Sequence, residues 1–371
     1  MRKLLANLAL ALGVVLPAIS ASSVAHAQLV RPGETPPDGP IDDAGKKTAV
    51  QGLAKMLRQR YVFPDVGERY ASALLKKLAA GAYRATTAVA LADAINADLQ
   101  AVQKDKHLRV RFEPSFRPRD PDAQPSADEK ERYHQQVARQ NYGIEKIERL
   151  AGNIGYIDLR NFHGVDLAAP SLSAAMALVA ATDALIIDLR QNGGGDPATV
   201  AFLCSYFFSD DEGVHINDIY DRPKNMTHQY WTVPVPGTRY LGKAVYVLTS
   251  ARTFSGAEEF SYDMKSLKRA TLIGETTGGG AHPGDMISVG AGFVAFVPTG
   301  RAINPITRTN WEGVGVKPDI ALAAPQALQA AHLMALRSRL KDEQDPERRG
   351  ILERAISKVE TGEPAAPAGR P

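Results

Sequence analysis

The strongest constraint on the fold is a change of hydrophobic pattern at Gly155. From this residue onward, short apolar runs alternate with amphipathic segments of helical length, a pattern typical of an α/β core. Between residues 44 and 106, by contrast, apolar side chains recur three and four residues apart, which indicates helices. We therefore predict an N-terminal three-helix subdomain over 44–106 and an α/β core over 151–325.

The apolar runs predict strands and the periodic segments predict helices. The predicted strands are 109–112, 155–159, 184–189, 215–220, 230–235, 244–249, 270–274 and 320–322, with two more runs inside 285–303. The predicted core helices are 169–181, 196–207 and 255–267. A connecting region, 107–150, is predicted to hold a strand, a proline-rich loop and a charged helix, and C-terminal helices are predicted within 326–360.

The two ends of the chain differ in composition from a packed domain. Residues 1–27 combine basic residues, an apolar stretch and a small-residue cleavage site, so we predict a signal peptide and an exported protein, periplasmic or secreted. The apolar stretch is short for a bilayer, and no stable membrane span is expected after cleavage. Residues 28–43 are predicted to be an extended leader and 361–371 a disordered tail.

Composition excludes several classes of function. The 44 basic and 41 acidic residues nearly balance and form no basic stripe, so we expect no nucleic-acid partner. Cys204 is the single cysteine, which excludes an internal disulfide and a CxxC zinc or redox site. No metal-ligand pattern is evident, and we predict no metal and no cofactor. Nothing in the sequence selects an oligomeric state.

Ser255 lies at the start of a predicted helix, directly after the apolar strand 244–249. A nucleophile there would gain from the unpaired N–H groups and positive dipole end of the helix, which can hold a developing oxyanion. The small residues Gly256 and Ala257 would let a substrate backbone approach. However, Ser255 and Glu258 also fit a capping box, so this segment alone fits either a nucleophile or a helix cap.

A second candidate motif is the triple glycine 193–195, which follows the predicted strand 184–189. Glycines permit backbone conformations in which successive N–H groups converge on an anion, so this turn is a candidate oxyanion donor. A nucleotide-phosphate loop is a weaker reading because no Gly-Lys-Ser/Thr follows. A plain tight turn is the remaining alternative.

A serine nucleophile needs a base. Lys265 and Lys268 lie on the same predicted helix as Ser255, but at 1.5 Å rise per residue they would stand roughly 15 to 20 Å along its axis, which excludes them. His107, at the start of a predicted strand, and His282, in a glycine-rich loop, both have suitable chemistry. The residues alone leave the choice between the two histidines open.

Five motifs in order carry a family resemblance, namely DKHL, DLRQNGGGD, TSARTFSGAEEF, IGETTGGGAHPG and NWEGVGVKPDI. They resemble the C-terminal processing, or tail-specific, serine peptidases over about residues 44–325. The greatest similarity is to the branch that contains the tricorn protease core and the repeats of interphotoreceptor retinoid-binding protein. The resemblance implies a crotonase/ClpP-like α/β core with an N-terminal helical subdomain.

The resemblance also implies roles for particular residues. Ser255 matches the nucleophile and His107 the tricorn-type general base, while Glu312 matches the acidic member of that set. The oxyanion hole corresponds to the N–H of Gly256 and one N–H from the Gly193-Gly194 turn. The lysine that tail-specific members use as base is missing, since residues 277–280 occupy its place, so the resemblance implies an imidazole base.

Two departures from the family pattern leave alternatives open. Lys106 stands where a serine precedes the histidine in the tricorn-type set, and a Lys106–Glu312 ion pair would divert the carboxylate. Glu275 is a second candidate for the acidic role. Only 45 residues separate Leu108 from Ile154, too few for the PDZ domain that tail-specific members insert there, so we expect none.

These observations predict an exported serine peptidase that hydrolyses peptide bonds in peptides or unfolded proteins through an acyl-enzyme on Ser255. The alternative is a non-catalytic protein that binds a retinoid-like or lipid ligand on the same fold. A third possibility is hydrolysis of another acyl or ester substrate, because fold does not fix function.

Overall fold

A computed structural model describes residues 38–117, 126–211 and 213–361. The predicted signal peptide, most of the predicted leader, residues 118–125 of the proline-rich loop and residues 362–371 of the predicted tail lie outside the described residues. Among the described residues, no helix combines the length and apolar character needed to cross a bilayer.

The N-terminal part forms the three predicted helices. They are α1 (Asp43–Arg60), α2 (Pro64–Ala79) and α3 (Ala88–Val102). Helix α1 begins where the side chain of Asp42 accepts a hydrogen bond from the Gly45 N–H, and α2 begins with a proline, which needs no N–H partner in the first turn. Their apolar faces bury one shared cluster.

This cluster continues into a three-stranded antiparallel sheet. Strand β1 (Arg109–Phe112) pairs with β10 (Phe293–Pro298), and β10 pairs with β9 (Gly284–Gly290). Val289, Phe293, Ala295 and Val297 of these late strands are buried in the same cluster as the N-terminal helices. The helical part is therefore joined to later parts of the chain, and the segment between α3 and β1 lies at the junction.

A six-stranded sheet forms the centre of the molecule. It contains β2 (Ile144–Leu150), β3 (Ile154–Leu159), β4 (Ala184–Asp188), β7 (Ala244–Thr249), β8 (Thr271–Gly274) and β12 (Ile320–Ala321), in the order β12-β8-β7-β4-β3-β2. All neighbours pair in parallel except β2 and β3, which are antiparallel. The α/β prediction is confirmed.

Helices cover both faces of this sheet. Helices α5 (Val165–Val179), α6 (Pro197–Ser205) and α7 (Gly256–Ser266) pack on one face, while α8 (Ala324–Asp342) and α9 (Pro346–Thr361) pack on the other. Leu185 and Ile187 of β4 face the first cluster, and Ile186 faces the second. Burial on both faces explains why β4 is an uninterrupted apolar run. Helix α4 (Ala127–Arg139) precedes β2.

The third sheet has the order β11-β5-β6, from β11 (Gly300–Ile303), β5 (His215–Asp221) and β6 (Met226–Trp231). Here the sequence prediction was partly wrong: β6 begins and ends four residues earlier than the predicted strand 230–235, because the turn after β5 spans only residues 222–225. Residues 284–303 form three strands rather than two.

Two further differences have physical causes. Strand β2 was not predicted, because its sequence IEKIERL carries four charges, as suits a strand at the edge of a sheet. Helix α5 begins at Val165 rather than near Ala169. The predicted start lay next to Pro170, a residue type that favours the first helical turn, whereas in α5 Pro170 lies in the second turn.

We predict that Gly52→Ala lowers the free energy of unfolding. A Cβ at Gly52 in α1 would lie 2.1 Å from the Val289 carbonyl oxygen of β9, so the helix would have to move away from the sheet. Overpacking of this kind costs about 1–3 kcal/mol, which exceeds the gain of about 1 kcal/mol in helix propensity. Chemical denaturation measures the change.

Gly350→Ala in α9 is the matched control. Its Cβ would first meet the flexible end of Arg354, at 3.2 Å, so the propensity gain should remain and stability should rise by up to about 1 kcal/mol. Equal stabilisation by both substitutions would show that α1 is not held by close contact with β9.

Candidate active site

Ser255 occupies the turn between β7 and α7 in an unusual backbone conformation. Its φ of 53° and ψ of −122° lie in a region that non-glycine residues rarely adopt. An ordinary helix N-cap has extended dihedrals, as Thr87 has at the start of α3. The backbone of Ser255 is therefore strained, which a role as a helix cap does not require.

The carboxylate of Glu258 holds this turn in place. Oε2 accepts hydrogen bonds from the N–H groups of Ser255 and Gly280, at 2.8 and 2.9 Å. Oε1 accepts from the Thr277 hydroxyl at 2.5 Å and from the Gly279 N–H at 2.6 Å. Burial raises the pKa of Glu258, and its four hydrogen-bond donors oppose that shift. Glu258 thus joins the serine turn to the 277–280 loop.

The glycine turn packs directly against the serine turn. Gly194 and Gly195 have φ values of 101° and 141°, and a Cβ on Gly194 would lie 2.6 Å from the Gly256 nitrogen. A Cβ on Gly195 would lie 1.9 Å from the Phe162 carbonyl oxygen. Only glycine permits both the dihedrals and the close approach, so the structure packs Gly194 and Gly195 against Gly256, while Gly193 directly precedes them and makes no such close approach.

The N–H groups at this junction differ in their hydrogen bonds. The Gly194 N–H, one of the expected oxyanion donors, donates to Asn192 Oδ1 at 2.8 Å. The N–H groups of Gly193, Gly195 and Gly256 donate to no group in the part of the chain that the structure describes. These three are thus available to a bound oxyanion, whereas Gly194 serves the shape of the turn.

The ring of His107 lies beside the serine turn. It packs against Phe254, the residue before Ser255, with ring centroids 4.6 Å apart, and against Phe296 at 5.6 Å. A Cβ on Gly280 would lie 2.6 Å from Cε1 of His107, so the 277–280 loop closes over the imidazole ring. Burial lowers the pKa of His107 to about 4, although nearby Asp105 opposes this shift. The imidazole is neutral at pH 7.

Asp105 is a site residue that the sequence analysis quoted but gave no role. It is fully buried, and Oδ2 accepts hydrogen bonds from the Tyr61 hydroxyl at 2.8 Å and from His282 Nδ1 at 2.9 Å. Its Oδ1 accepts from the N–H groups of His107 and Leu108 at 3.0 and 3.2 Å. Asp105 therefore fixes the backbone that carries His107.

Glu312 lies next to this pair. Oε2 accepts the Ala281 N–H at 2.6 Å and lies 3.5 Å from His282 Nδ1. One side-chain nitrogen or oxygen atom from each of Asp105, His107 and Glu312 lies within 4.8 Å of the other two. Burial raises the pKa of Glu312 to about 7; His282 opposes the shift and the negative charge of Asp105 adds to it. The structure thus brings Glu312 and His107 together.

The alternative site residues lie in other surroundings. The Lys106 ammonium donates to the Gly278 carbonyl and, among the described ion pairs, forms none with Glu312. The carboxylate of Glu275 accepts the N–H groups of Ala251 and Ala324 at 3.2 and 3.0 Å, which lower its pKa. His282 bonds to Asp105 rather than to the serine turn.

Sequence reasoning assigned no site role to Asp105 and considered Glu258 only as a cap partner. For Glu258 the available signal was the capping-box spacing itself, which is compatible with a carboxylate that also reaches a distant loop. For Asp105 the signal was an acid two residues before a candidate base. Neither pattern reveals the 277–282 loop as a partner, because that contact depends on the tertiary fold.

Two family models match adjoining parts of the chain. Residues 153–322 match the model described as peptidase family S41. Residues 44–150 match the model described as the N-terminal domain of Peptidase_S41 in eukaryotic IRBP. A curated relative, the tail-specific protease of Haemophilus influenzae, is 30% identical over 97 residues, which cover 26% of this chain and 13% of that protein. The chain therefore matches only a small part of this relative.

Solved structures show the same fold at low sequence identity. Mature CPAF is 12% identical with a TM-score of 0.55, over 80% of this chain and 98% of that one. A putative peptidase from Parabacteroides merdae is 21% identical with a TM-score of 0.51, over 85% and 96% of the two chains. These similarities show the fold. The two family models, which together span residues 44–150 and 153–322, show that the chain belongs to peptidase family S41, a family of serine-type peptidases.

Proposed function

We propose that this protein is an active serine peptidase that hydrolyses peptides or unfolded proteins. Ser255 is the nucleophile, His107 is the general base, and the carboxylate of Glu312 stabilises the protonated form of His107. The observation that carries this proposal is the strained backbone of Ser255 beside unpaired N–H groups. Strain at a turn persists only where the surroundings enforce it, and it concentrates at functional sites.

The proposed acylation uses these three groups in turn. Ser255 Oγ attacks the carbonyl carbon of the scissile bond as Nε2 of the neutral His107 ring takes the hydroxyl proton. The negative charge of Glu312 stabilises the resulting imidazolium. His107 then gives the proton to the leaving amine, the C–N bond breaks, and an ester on Ser255 remains. Water releases the acyl group in a second round in which His107 again accepts and returns a proton.

The tetrahedral intermediate needs donors for its oxyanion. The Gly256 N–H, at the start of α7, is one, and the dipole of that helix favours the negative charge. The second donor comes from the glycine turn. Gly193 and Gly195 are the candidates there, because the Gly194 N–H is already bound to Asn192.

The contacts of Lys265 and Lys106 argue against a lysine base and therefore favour an imidazole base. Lys265 donates to the Lys317 carbonyl and forms an ion pair with Asp319 at 2.8 Å, near the C-terminal end of α7. Lys106 is bound to the Gly278 carbonyl. Neither ammonium is a desolvated amine poised beside Ser255, which is what a lysine base would require.

The family match supports peptide or protein substrates, and the surroundings of the site suggest how they are recognised. The described residues between Leu108 and Ile154 form β1, α4 and a short 3-10 turn before β2, with no inserted domain among them. We infer that substrates are recognised as extended chains at the site itself. The signal-like composition of residues 1–27 supports export, so periplasmic or secreted peptides and unfolded proteins are the proposed substrates.

Fluorophosphonate labelling tests the nucleophile. We expect such a probe to label the wild-type protein and not Ser255→Ala, because only an activated serine attacks the phosphorus. Ser261→Ala is the matched control on the same helix, since its hydroxyl only donates to the Ala257 carbonyl, at 2.8 Å. Equal labelling of wild type and Ser255→Ala would refute the assignment. A wild type that cleaves no peptide library but extracts with a bound lipid would favour the binding alternative.

The pKa values predict the pH dependence of kcat/KM. Glu312, with a pKa of about 7, loses its charge as the pH falls, while His107, with a pKa of about 4, stays neutral. We therefore expect kcat/KM to decline as the pH falls through about 7. Glu312→Gln should be slower, and its acid limb should move toward the lower pKa of His107. An unchanged limb in Glu312→Gln would exclude Glu312 as its origin.

Glu258 is proposed as a positioning residue. Glu258→Gln replaces an acceptor oxygen with an NH₂ group that faces N–H donors, so we expect a loss of about 1–3 kcal/mol in unfolding free energy and a fall in kcat. Glu259→Gln is the control, because burial raises the pKa of Glu259 to about 8 and the amide resembles the protonated acid at pH 7. The unfolding free energy of Glu259→Gln should therefore differ little from that of the wild type. Equal effects of both substitutions would contradict a specific role for Glu258.

A further inference from the structure

Three groups of the site form a cluster of potential metal ligands. A carboxylate oxygen from Asp105, a ring nitrogen from His107 and a carboxylate oxygen from Glu312 all lie within 4.8 Å of one another. The cluster combines two distant segments of the chain, residues 105–107 and residue 312. Its ligands therefore have no local spacing from which a metal site could be predicted. The sequence analysis predicted no metal.

Two of the three residues each have a buried polar atom without a partner. His107 Nδ1 and Glu312 Oε1 form no hydrogen bond with any described residue. Buried polar atoms are normally satisfied, and a cation bound in this cluster could satisfy the nitrogen and the carboxylate oxygen together. The third ligand, Asp105, is buried, and a bound ion would replace one of the four hydrogen-bond donors that its two oxygens accept.

The donor types favour one class of ion. One imidazole nitrogen with two carboxylate oxygens suits Zn²⁺ and related divalent transition metals, whereas Ca²⁺ and Mg²⁺ prefer oxygen alone. Ligands at about 2.0–2.2 Å around a tetrahedral ion lie roughly 3.3–3.6 Å apart, so the side chains would need to close by about 1 Å.

Hydrogen bonds already support the carboxylates from outside the cluster. Tyr61 and His282 donate to Asp105, and the Ala281 N–H donates to Glu312. Partners of this kind orient metal ligands and keep them negatively charged.

One ligand of the cluster, Glu312, lies at a cleft. A cleft of about 530 Å³ is lined by Glu312 and His282 together with Phe63, Arg301 and Arg308. The cleft admits a water-sized ion to Glu312. The two guanidinium groups at the cleft oppose a cation by charge, so we expect binding that a chelator reverses readily.

We propose that Zn²⁺, or a divalent transition ion of the same class, binds to Asp105, His107 and Glu312 and reversibly inhibits the peptidase. A neutral imidazole that coordinates through Nδ1 carries its proton on Nε2, so His107 could no longer accept the proton of Ser255. The ion would also engage the Glu312 charge. The binding claim is independent of the proposed function, while the inhibition claim rests on it.

Co²⁺ is the probe for binding, because Co²⁺ absorbs visible light in a four-coordinate N/O site and Zn²⁺ is spectroscopically silent. Titration of the full-length, metal-stripped protein should give one visible spectrum that saturates at one equivalent and that Zn²⁺ or a chelator abolishes. His107→Gln and Glu312→Gln should each lose it. His215→Asn should retain it, which tests the alternative surface pair of His215 and Asp218, 2.7 Å apart.

Inhibition is measured separately, by the rate at which a fluorophosphonate probe labels Ser255. One equivalent of Zn²⁺ should slow labelling at least tenfold, and chelation should restore it. No saturable Co²⁺ spectrum, or a spectrum unchanged in both ligand variants, would overturn the site. A bound ion that leaves the labelling rate unchanged would overturn inhibition. A metal-free protein that is never labelled would refute the proposed function, yet the Co²⁺ spectrum would still decide the site.

Discussion

The active-site geometry depends on one buried carboxylate. Glu258 accepts four hydrogen bonds, and these bonds join the Ser255 turn to the 277–280 loop. That loop closes over the His107 ring through Gly280 and leads to Ala281, whose N–H binds Glu312. The proposed nucleophile, base and acid are thus all connected to Glu258 through this loop. The unfavourable backbone of Ser255 is maintained because the Glu258 network opposes its relaxation.

The second constraint is the junction between the helical part and the sheet. His107 and Asp105 lie between α3 and β1, and Tyr61 from the end of α1 donates to Asp105. Ser255 lies instead at the carboxyl edge of the parallel sheet, where ligand sites of open α/β folds occur. The proposed catalytic set is therefore assembled from both parts of the fold. The N-terminal helices therefore do more than cover the core, because Tyr61 at the end of α1 holds Asp105, whose carboxylate fixes the backbone of the proposed base His107.

Much of this architecture could be predicted from the sequence. The apolar strands β4 and β7 and the amphipathic helices α1 to α3 have strong periodicity, and the structure places them within a few residues of the predictions. Strand β2 was missed because its charges conceal an edge strand. Ser255, His107 and Glu312 were named from motif resemblance, but their separation in the chain gives no distance. The roles of Asp105 and Glu258 depend on contacts across 177 and about 20 residues, which no local pattern encodes.

The link between base and nucleophile is the central claim, and a crystal structure of the fluorophosphonate-modified protein tests it most directly. We predict that His107 Nε2 lies within about 2.6–3.2 Å of an oxygen on the modified Ser255, and that Nδ1 reaches Glu312 directly or through one water. We also expect the phosphoryl oxygen to lie between the Gly256 N–H and the glycine turn. A His107 ring that points away from the adduct, with His282 or a lysine in its place, would contradict this assignment.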